Sequence, residues 1–383
     1  MTLSPRIVCC PDSFKGSVSA PEAAAALARG ARQALPQAAV LELPFADGGE
    51  GTLDALLAVW GTRAETIETV DALARPALAR CGRSPDGRTA VIEAAQANGL
   101  PQVSDLAPQP QRADTYGVGL IARHLLERPT PPAEILVCLG GSATTDGGTG
   151  ILNALGARFL DDAGAPVTPG GAGLAAISRV DLTGLLPAAH QVRWRLAVDV
   201  ENPLTGPQGA AAVFGPQKGA DDADVAALDA GLWHLAEVLA AHTEDSGDAL
   251  RSRVGFGAAG GIPVTLVTLL GAEVVPGARM VADAVGLREA LAGTDIVLTG
   301  EGSLDSQSLD GKVVAAVKEQ APQGAAVVVI AGTVRLSPRE CRDAGLTAAL
   351  SLAPGPAELG ELLQRAAQLF EDAAAHACAL LAR

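Results

Sequence analysis

The sequence predicts an α/β protein of two domains, one Rossmann-like, doubly wound and discontinuous along the chain, the other a mixed-sheet middle domain, with a cleft between them. Three observations predict it. At 383 residues the chain is long for a single hydrophobic core. Short Val/Ile runs alternate with Ala- and Leu-rich stretches that lack β-branching, the texture of strands alternating with helices. The 44 Gly and 25 Pro gather at the ends of those apolar runs, where they punctuate loops; they form no linker-like or collagen-like repeat.

In chain order, Ile7 to Cys10 reads as a short buried strand stopped by Pro11. Ala20 to Leu35 reads as a helix with Pro21 in its first turn, where a missing N–H costs nothing. Val40 to Leu43 is a second strand, followed by the loop Asp47-Gly48-Gly49-Glu50-Gly51 and a helix over Thr52 to Val59. From Ile67 to Glu93 the texture changes to short runs separated by a turn-rich piece, which suits a hairpin in a mixed sheet. A helix over Gly117 to Leu126 leads through Pro129, Pro131 and Pro132 to the strand Ile135 to Leu139, then to Gly140 and a helix over Gly150 to Leu155. The strand Trp194 to Val198 ends at Asp199, and the acidic run Asp221 to Asp224 heads a long helix reaching His242. After the apolar run Ile262 to Val275, strands at Asp295 to Thr299, Ala326 to Ala331 and Ala348 to Leu352 restore the βα rhythm. A last helix from Glu358 to Leu380 carries Leu359, Leu362, Leu363, Ala366 and Leu369 at helical spacing, which predicts one face docked on a sheet. The expected division is 1–62 with 285–383 for the Rossmann-like domain and 63–284 for the middle one, with strand 135–140 compatible with either.

Charge narrows the function. With 28 Lys plus Arg against 43 Asp plus Glu the net charge is -15, which repels nucleic acid, and 3% aromatic residues offer no stacking platform. An anionic substrate must therefore be held by local donors against an unfavourable field, and a divalent cation would help. No signal-peptide pattern opens the chain, and no apolar run reaches the ~20 residues of a membrane span. The six Cys are scattered without a C-x-x-C pair, so reduced, buried thiols in a cytoplasmic protein are expected, as a monomer or homodimer.

The strongest internal signal is an echoed loop. Asp47-Gly48-Gly49-Glu50-Gly51 recurs as Asp146-Gly147-Gly148-Thr149-Gly150, each after a strand and before a helix. Adjacent glycines permit close backbone approach, and N–H groups at a helix start can surround an anion. Either Asp could hold a metal, take a proton, or simply cap its helix. Three further loops share the placement: Asp12-Ser13-Phe14-Lys15-Gly16-Ser17, Gly140-Gly141-Ser142-Ala143-Thr144-Thr145, and Thr299-Gly300-Glu301-Gly302-Ser303 with Asp305 and Lys312 beyond. Ligands of a doubly wound fold bind at the C-terminal edge of its parallel strands, so these loops should converge. Lysines are scarce, which makes Lys15, Lys218 and Lys312 beside Gly-rich loops informative.

Absent motifs matter too. There is no G-x-x-x-x-G-K-[ST], because Ser306 stands where the first Gly should be, and neither H-E-x-x-H nor a G-x-S-x-G elbow occurs. The one G-x-G-x-x-G, Gly255 to Gly260, does not follow a strand and reads as a packing turn. Residues alone thus reach a two-domain α/β protein able to hold phosphates and a metal, without separating kinase from phosphatase.

At these loops the chain resembles the bacterial type I glycerate kinase family. The motifs that carry the likeness are PDSFKGSVSA from Pro11, FADGGEGT from Phe45, LGGSATTDGGTGILNALGARFLD from Leu139, DVENPLTGP from Asp199, VFGPQKGA from Val213 and TGEGSLDSQSLDGK from Thr299. Departures are mild: Asp114, Thr145 and Glu201 stand where the family tends to have Thr, Asn and Asp. The resemblance implies transfer of the γ-phosphoryl group of ATP to (R)-glycerate with Mg2+, giving 2-phosphoglycerate. A kinase of another small hydroxy acid or sugar acid, or a non-catalytic module that binds a phosphorylated metabolite, is the alternative. Given that reaction, Lys15 and Lys312 are expected to meet phosphoryl or carboxylate charge. Ser13, Gly48, Gly49, Gly141, Ser142, Thr144 and Glu301 would contribute to the nucleotide site, and Asp47 and Asp146 would hold the metal. Of the loop carboxylates Asp12, Asp47, Asp146, Asp199 and Glu301, Asp199 is the expected base, with Asp47 next.

Overall fold

The computed structural model describes residues 4–14 and 16–382. The chain separates into two compact units, Met1–Gly61 with Pro276–Arg383, and Thr62–Val275. The helix Gly277–Val285 belongs to the first unit, where Trp60 Nε1 donates to Ala284 O at 3.1 Å; the sequence reading had placed most of it in the middle domain.

The first unit is built on five parallel strands in the order Ala348–Ser351, Ala326–Ala331, Ile296–Thr299, Arg6–Cys9, Ala39–Glu42. Ile296–Thr299 and nearly all of Ala326–Ala331 are buried, which is why they read as unbroken apolar runs and not as alternating ones. Counted along the unit's own strands the order is 2-1-3-4-5, so the topological switch point lies between Arg6–Cys9 and Ile296–Thr299. The helix Ala20–Ala34, opened by a capping box of Ser19 and Glu22, packs on one face together with Ala366–Leu381. The apolar cluster there includes Ile7, Leu27, Leu298, Ile330 and Phe370.

The C-terminal helix is shorter than its periodicity predicts. A separate turn of helix, Leu359–Gln364, precedes Ala366–Leu381, with Arg365 leaving helical geometry between them. Leu369, Phe370, Ala374 and Cys378 are buried, but Leu359 and Leu363 are exposed. Leu362 packs against the core cluster, whereas Leu359 and Leu363 serve a different surface from the sheet.

The second unit has a six-stranded mixed sheet in the order Glu273–Val275, Arg193–Ala197, Glu134–Cys138, Thr89–Glu93, Pro76–Arg83, Glu65–Val70. The first four are parallel to one another and the last two are joined as antiparallel hairpins. Glu134–Cys138 is therefore an interior strand of this sheet and does not join the first. Its core is one large apolar cluster around Trp194, whose Nε1 donates to Ala189 O at 2.8 Å. Among the described residues no helix is long and apolar enough to cross a membrane. All six cysteines are buried and free.

Candidate active site

In the first unit the loops leaving the two switch-point strands are stitched together. Asp12 N donates to Gly300 O at 2.8 Å and Thr299 Oγ1 to Cys10 O at 2.8 Å. Asp12, Ser13, Asp47, Glu301, Asp305 and Lys312 line one cavity of about 530 Å³. Its opposite wall is apolar, from Leu352, Leu359, Leu362, Leu363 and Leu369. Here lies the surface that the leucines of the Leu359–Gln364 turn serve.

The carboxylates of this cavity differ in how they are held. Asp12 Oδ1 accepts from Ser13 N at 2.6 Å, and Asp47 Oδ1 from Gly49 N at 3.0 Å. Glu301 is buried, and its Oε1 has no hydrogen-bond partner. Burial pushes its carboxyl upward; Ser308 and Lys312 oppose that shift, while the charges of Asp305 and Asp47 add to it. Lys312 stands at the N-terminus of the helix Val313–Gln320, with Nζ 3.4 Å from Gln307 Oε1. One ammonium thus shares a cavity with several carboxylates, a pattern suited to phosphates accompanied by a hard cation.

Of the expected residues, Ser13, Asp47, Glu301 and Lys312 come together here, with Gly48 and Gly49 in the Asp47 loop. Gly49 N is already committed to Asp47. Lys15 lies outside the described residues.

The remaining candidates fall in the second unit, all but Asp199 in the loop after Glu134–Cys138. Asp146 does not present itself as a metal ligand. It is fully buried, its Oδ2 accepts from Thr115 N at 2.9 Å, Thr115 Oγ1 at 2.8 Å and Gly150 N at 3.1 Å, and its Oδ1 accepts from Gly148 N at 3.1 Å. Burial raises its carboxyl, and those four donors oppose the rise. Asp146 therefore ties the loop to the helix Tyr116–Leu126. Beside it Asp114 is raised to about 7, first by burial and then by the Asp146 charge.

Ser142 and Thr144 are also buried, and their hydroxyls meet protein partners. Asn98 Nδ2 donates to Thr144 Oγ1 at 3.2 Å, while Lys218 Nζ donates to Thr144 O at 2.6 Å and to Ser142 Oγ at 3.3 Å. Gly141, in a left-handed conformation, turns the chain into this network. The Gly255–Gly260 motif packs on the same loop: Gly147 N donates to Gly260 O, and a Cβ on Gly260 would lie 2.0 Å from Thr144 O. Asp199 emerges exposed at the end of Arg193–Ala197, the strand adjacent to Glu134–Cys138.

Sequence reasoning gave Lys218 no role beyond its scarcity as a lysine, and that scarcity was the usable signal. Asp114 was visible only as a departure from a family pattern, and nothing local marks Asn98.

The model of the family described as the glycerate kinase family matches residues 7–382. The chain belongs to the glycerate kinase family. Among its relatives is a glycerate kinase of Bacillus subtilis, 39% identical over 96% of each chain. A glycerate kinase of Halalkalibacterium halodurans is 38% identical, again over 96% of each. The glycerate 2-kinase of Escherichia coli is 40% identical over 80% of each. A crystal structure from Salmonella typhimurium LT2, with a provisional glycerate kinase 2 assignment, superposes with a TM-score of 0.89 at 37% identity, covering 99% of this chain and 98% of that one. Family membership supports kinase activity for this chain, and the two α/β units are the fold of that structural relative.

Proposed function

We propose that this chain transfers the γ-phosphoryl group of ATP to the 2-hydroxyl of (R)-glycerate, giving 2-phosphoglycerate. The observation that carries the reading is the family match across residues 7–382. The product assignment draws on the identity with the relative named glycerate 2-kinase. The switch-point cavity supports a nucleotide there: it pairs Lys312 with an apolar wall that suits a base or ribose.

Mg2+ fits the donor set of this cavity. The buried, unpartnered Oε1 of Glu301 and the carboxylates of Asp12 and Asp47 are hard oxygen ligands of the kind that ion takes. They are the residues that would hold it, and the ion would offset negative charge on the phosphate oxygens. Lys312 adds a fixed positive charge for a phosphoryl oxygen. Asp199, an exposed carboxylate at a parallel-strand exit, is the proposed base that orients the acceptor hydroxyl and takes its proton.

Incubation of the purified chain with ATP, Mg2+ and (R)-glycerate, followed by 31P NMR of the product, tests the reading. 2-Phosphoglycerate with stoichiometric ADP is expected. 3-Phosphoglycerate would overturn the hydroxyl assignment, and binding of glycerate without ADP release would overturn the kinase reading itself.

A further inference from the structure

The second unit holds a buried cation that the switch-point cavity does not use. Lys218 is 4% exposed, at the end of the turn Pro216–Lys218. Its ammonium carries three donors, of which Thr144 O and Ser142 Oγ take two. No acceptor is assigned to the third, and Lys218 forms no ion pair among the described residues. It lines a cavity of about 280 Å³ whose walls include Leu100, Val103, Pro108 and Ala143. A charge taken out of water and left unpaired is costly, so a cation kept here calls for an anionic partner.

We propose that this cavity is the carboxylate subsite for the small hydroxy acid, with Lys218 Nζ donating its third hydrogen bond to the acid's carboxylate; this rests on the kinase reading above. Three features select that ligand. The space, at the lower end of the ~300 to 1,000 Å³ typical of small-molecule sites and about half that of the switch-point cavity, suits a three-carbon acid. Lys218 is the one charged residue among the lining, so the cavity recognises one negative charge. The amides of Gln109 and Gln217 line the same cavity, within its reach for hydroxyl groups. Asp146, whose charge acts on Lys218, and Asp114 beside it are the acidic groups that face this network. Burial lowers the Lys218 ammonium to about 8, with the Asp146 charge opposing, so the subsite is charged at neutral pH.

The test is steady-state kinetics of the full chain with (R)-glycerate and with its neutral carboxamide, for wild type, Lys218→Met and Ala107→Trp. Ala107 is an exposed residue of the cavity rim, so the second variant fills the space while leaving Lys218 in place. A lost charged hydrogen bond corresponds to about a tenfold to hundredfold effect. Lys218→Met should raise the KM for glycerate by that factor, leave the KM for ATP within twofold, and abolish the preference for glycerate over its carboxamide. Ala107→Trp should raise the KM for glycerate about tenfold with thermal stability unchanged. A rise in the KM for ATP alone would overturn the proposal in favour of a phosphate ligand. An equal loss for both acceptors together with a lowered Tm would overturn it in favour of a purely structural lysine. If wild type releases no ADP, the kinase reading fails separately. Calorimetric titration of glycerate, and of inorganic phosphate, into wild type and Lys218→Met then decides the subsite, which is refuted if wild type binds neither or if the variant binds glycerate equally well.

Discussion

Asp146→Ala is the perturbation whose cost the structure lets us work out. The substitution removes the acceptor for the N–H groups of Thr115, Gly148 and Gly150, all within 3.1 Å of the carboxylate and all buried with it. The Thr115 hydroxyl loses its acceptor as well, although its oxygen still receives Ile151 N at 3.1 Å. A buried donor left without a partner costs ~1 to 3 kcal/mol. Three of them set a range whose lower end applies, because water can enter the vacated space and a buried charge is also removed. About 3 kcal/mol is the resulting destabilisation, roughly a hundredfold in the folding equilibrium and a large fraction of a typical ~5 to 15 kcal/mol stability. Asp146→Asn should rescue part of it, since an amide oxygen in the Oδ2 place still accepts from Thr115 and Gly150 while the amide nitrogen faces the Gly148 N–H. Urea unfolding followed by the fluorescence of Trp194, buried in the same unit, measures the loss. A loss below ~1 kcal/mol, accompanied by a raised Mg2+ requirement, would refute the structural reading and return Asp146 to the metal.

Other perturbations separate the remaining roles. Lys312→Ala should lower kcat/KM by ~2 kcal/mol of transition-state stabilisation; an unchanged value would make Lys312 a solvated surface residue. Glu301→Gln keeps the shape but not the charge, and should raise the Mg2+ concentration for half-maximal rate about tenfold, read by Mg2+ titration at saturating ATP. Asp199→Asn should reduce kcat by about 10² to 10⁴ with thermal stability unchanged, and a loss confined to KM would remove it as base. Asp114 bears on pH. Burial holds its carboxyl at about 7 in the folded protein, above the ordinary 3.8 of an aspartate, so the folded protein keeps a proton that the unfolded chain releases. Stability from this group therefore falls as pH rises between about 4 and 7, and Asp114→Asn should flatten that slope in urea midpoints measured across the window.

Much of the fold was legible because parallel strands covered on both faces carry their burial in sequence. Ile296–Thr299 and Ala326–Ala331 are apolar at nearly every position, and loop glycines bound them. Helix starts were legible where capping chemistry is local, as with Ser19 and Glu22 or Asp221 and Asp224. What escaped was non-local. Nothing within Glu134–Cys138 says which strand it will pair with, because Thr89–Glu93 and Arg193–Ala197 lie far from it in the chain. The leucines at 359, 362 and 363 keep a helical period whether they meet a sheet or the wall of a cavity. Lys218 stands out only as a scarce lysine beside a Gly-rich loop until Ser142 and Thr144, more than seventy positions earlier, are brought to its ammonium.

The two D-G-G-x-G loops show where local sequence stops deciding chemistry. Both open with the same step, a left-handed glycine in second position, Gly48 or Gly147. In each the Asp Oδ1 accepts from the N–H two residues on, at 3.0 Å for Gly49 and 3.1 Å for Gly148. In each a threonine hydroxyl closes the turn on a backbone carbonyl, Thr52 on Gly49 and Thr149 on Asp146. A left-handed glycine starts a short helix in both, but two positions apart: Gly51, the last residue of its motif, at φ 95°, and Gly148, the third of its own, at φ 77°. Their second carboxylate oxygens then part ways. Around Asp146 the start of the helix Tyr116–Leu126 supplies Thr115, whose N–H and hydroxyl both reach Oδ2, and the group is sealed from solvent. Around Asp47 the neighbours are the Asp12 and Glu301 loops at a sheet switch point, and the carboxylate stays half-buried on a cavity wall. A motif that opens both loops alike thus yields a structural tie in one unit and a candidate ligand in the other. What separates them is whether a donor from elsewhere in the chain reaches the oxygen that the turn leaves over.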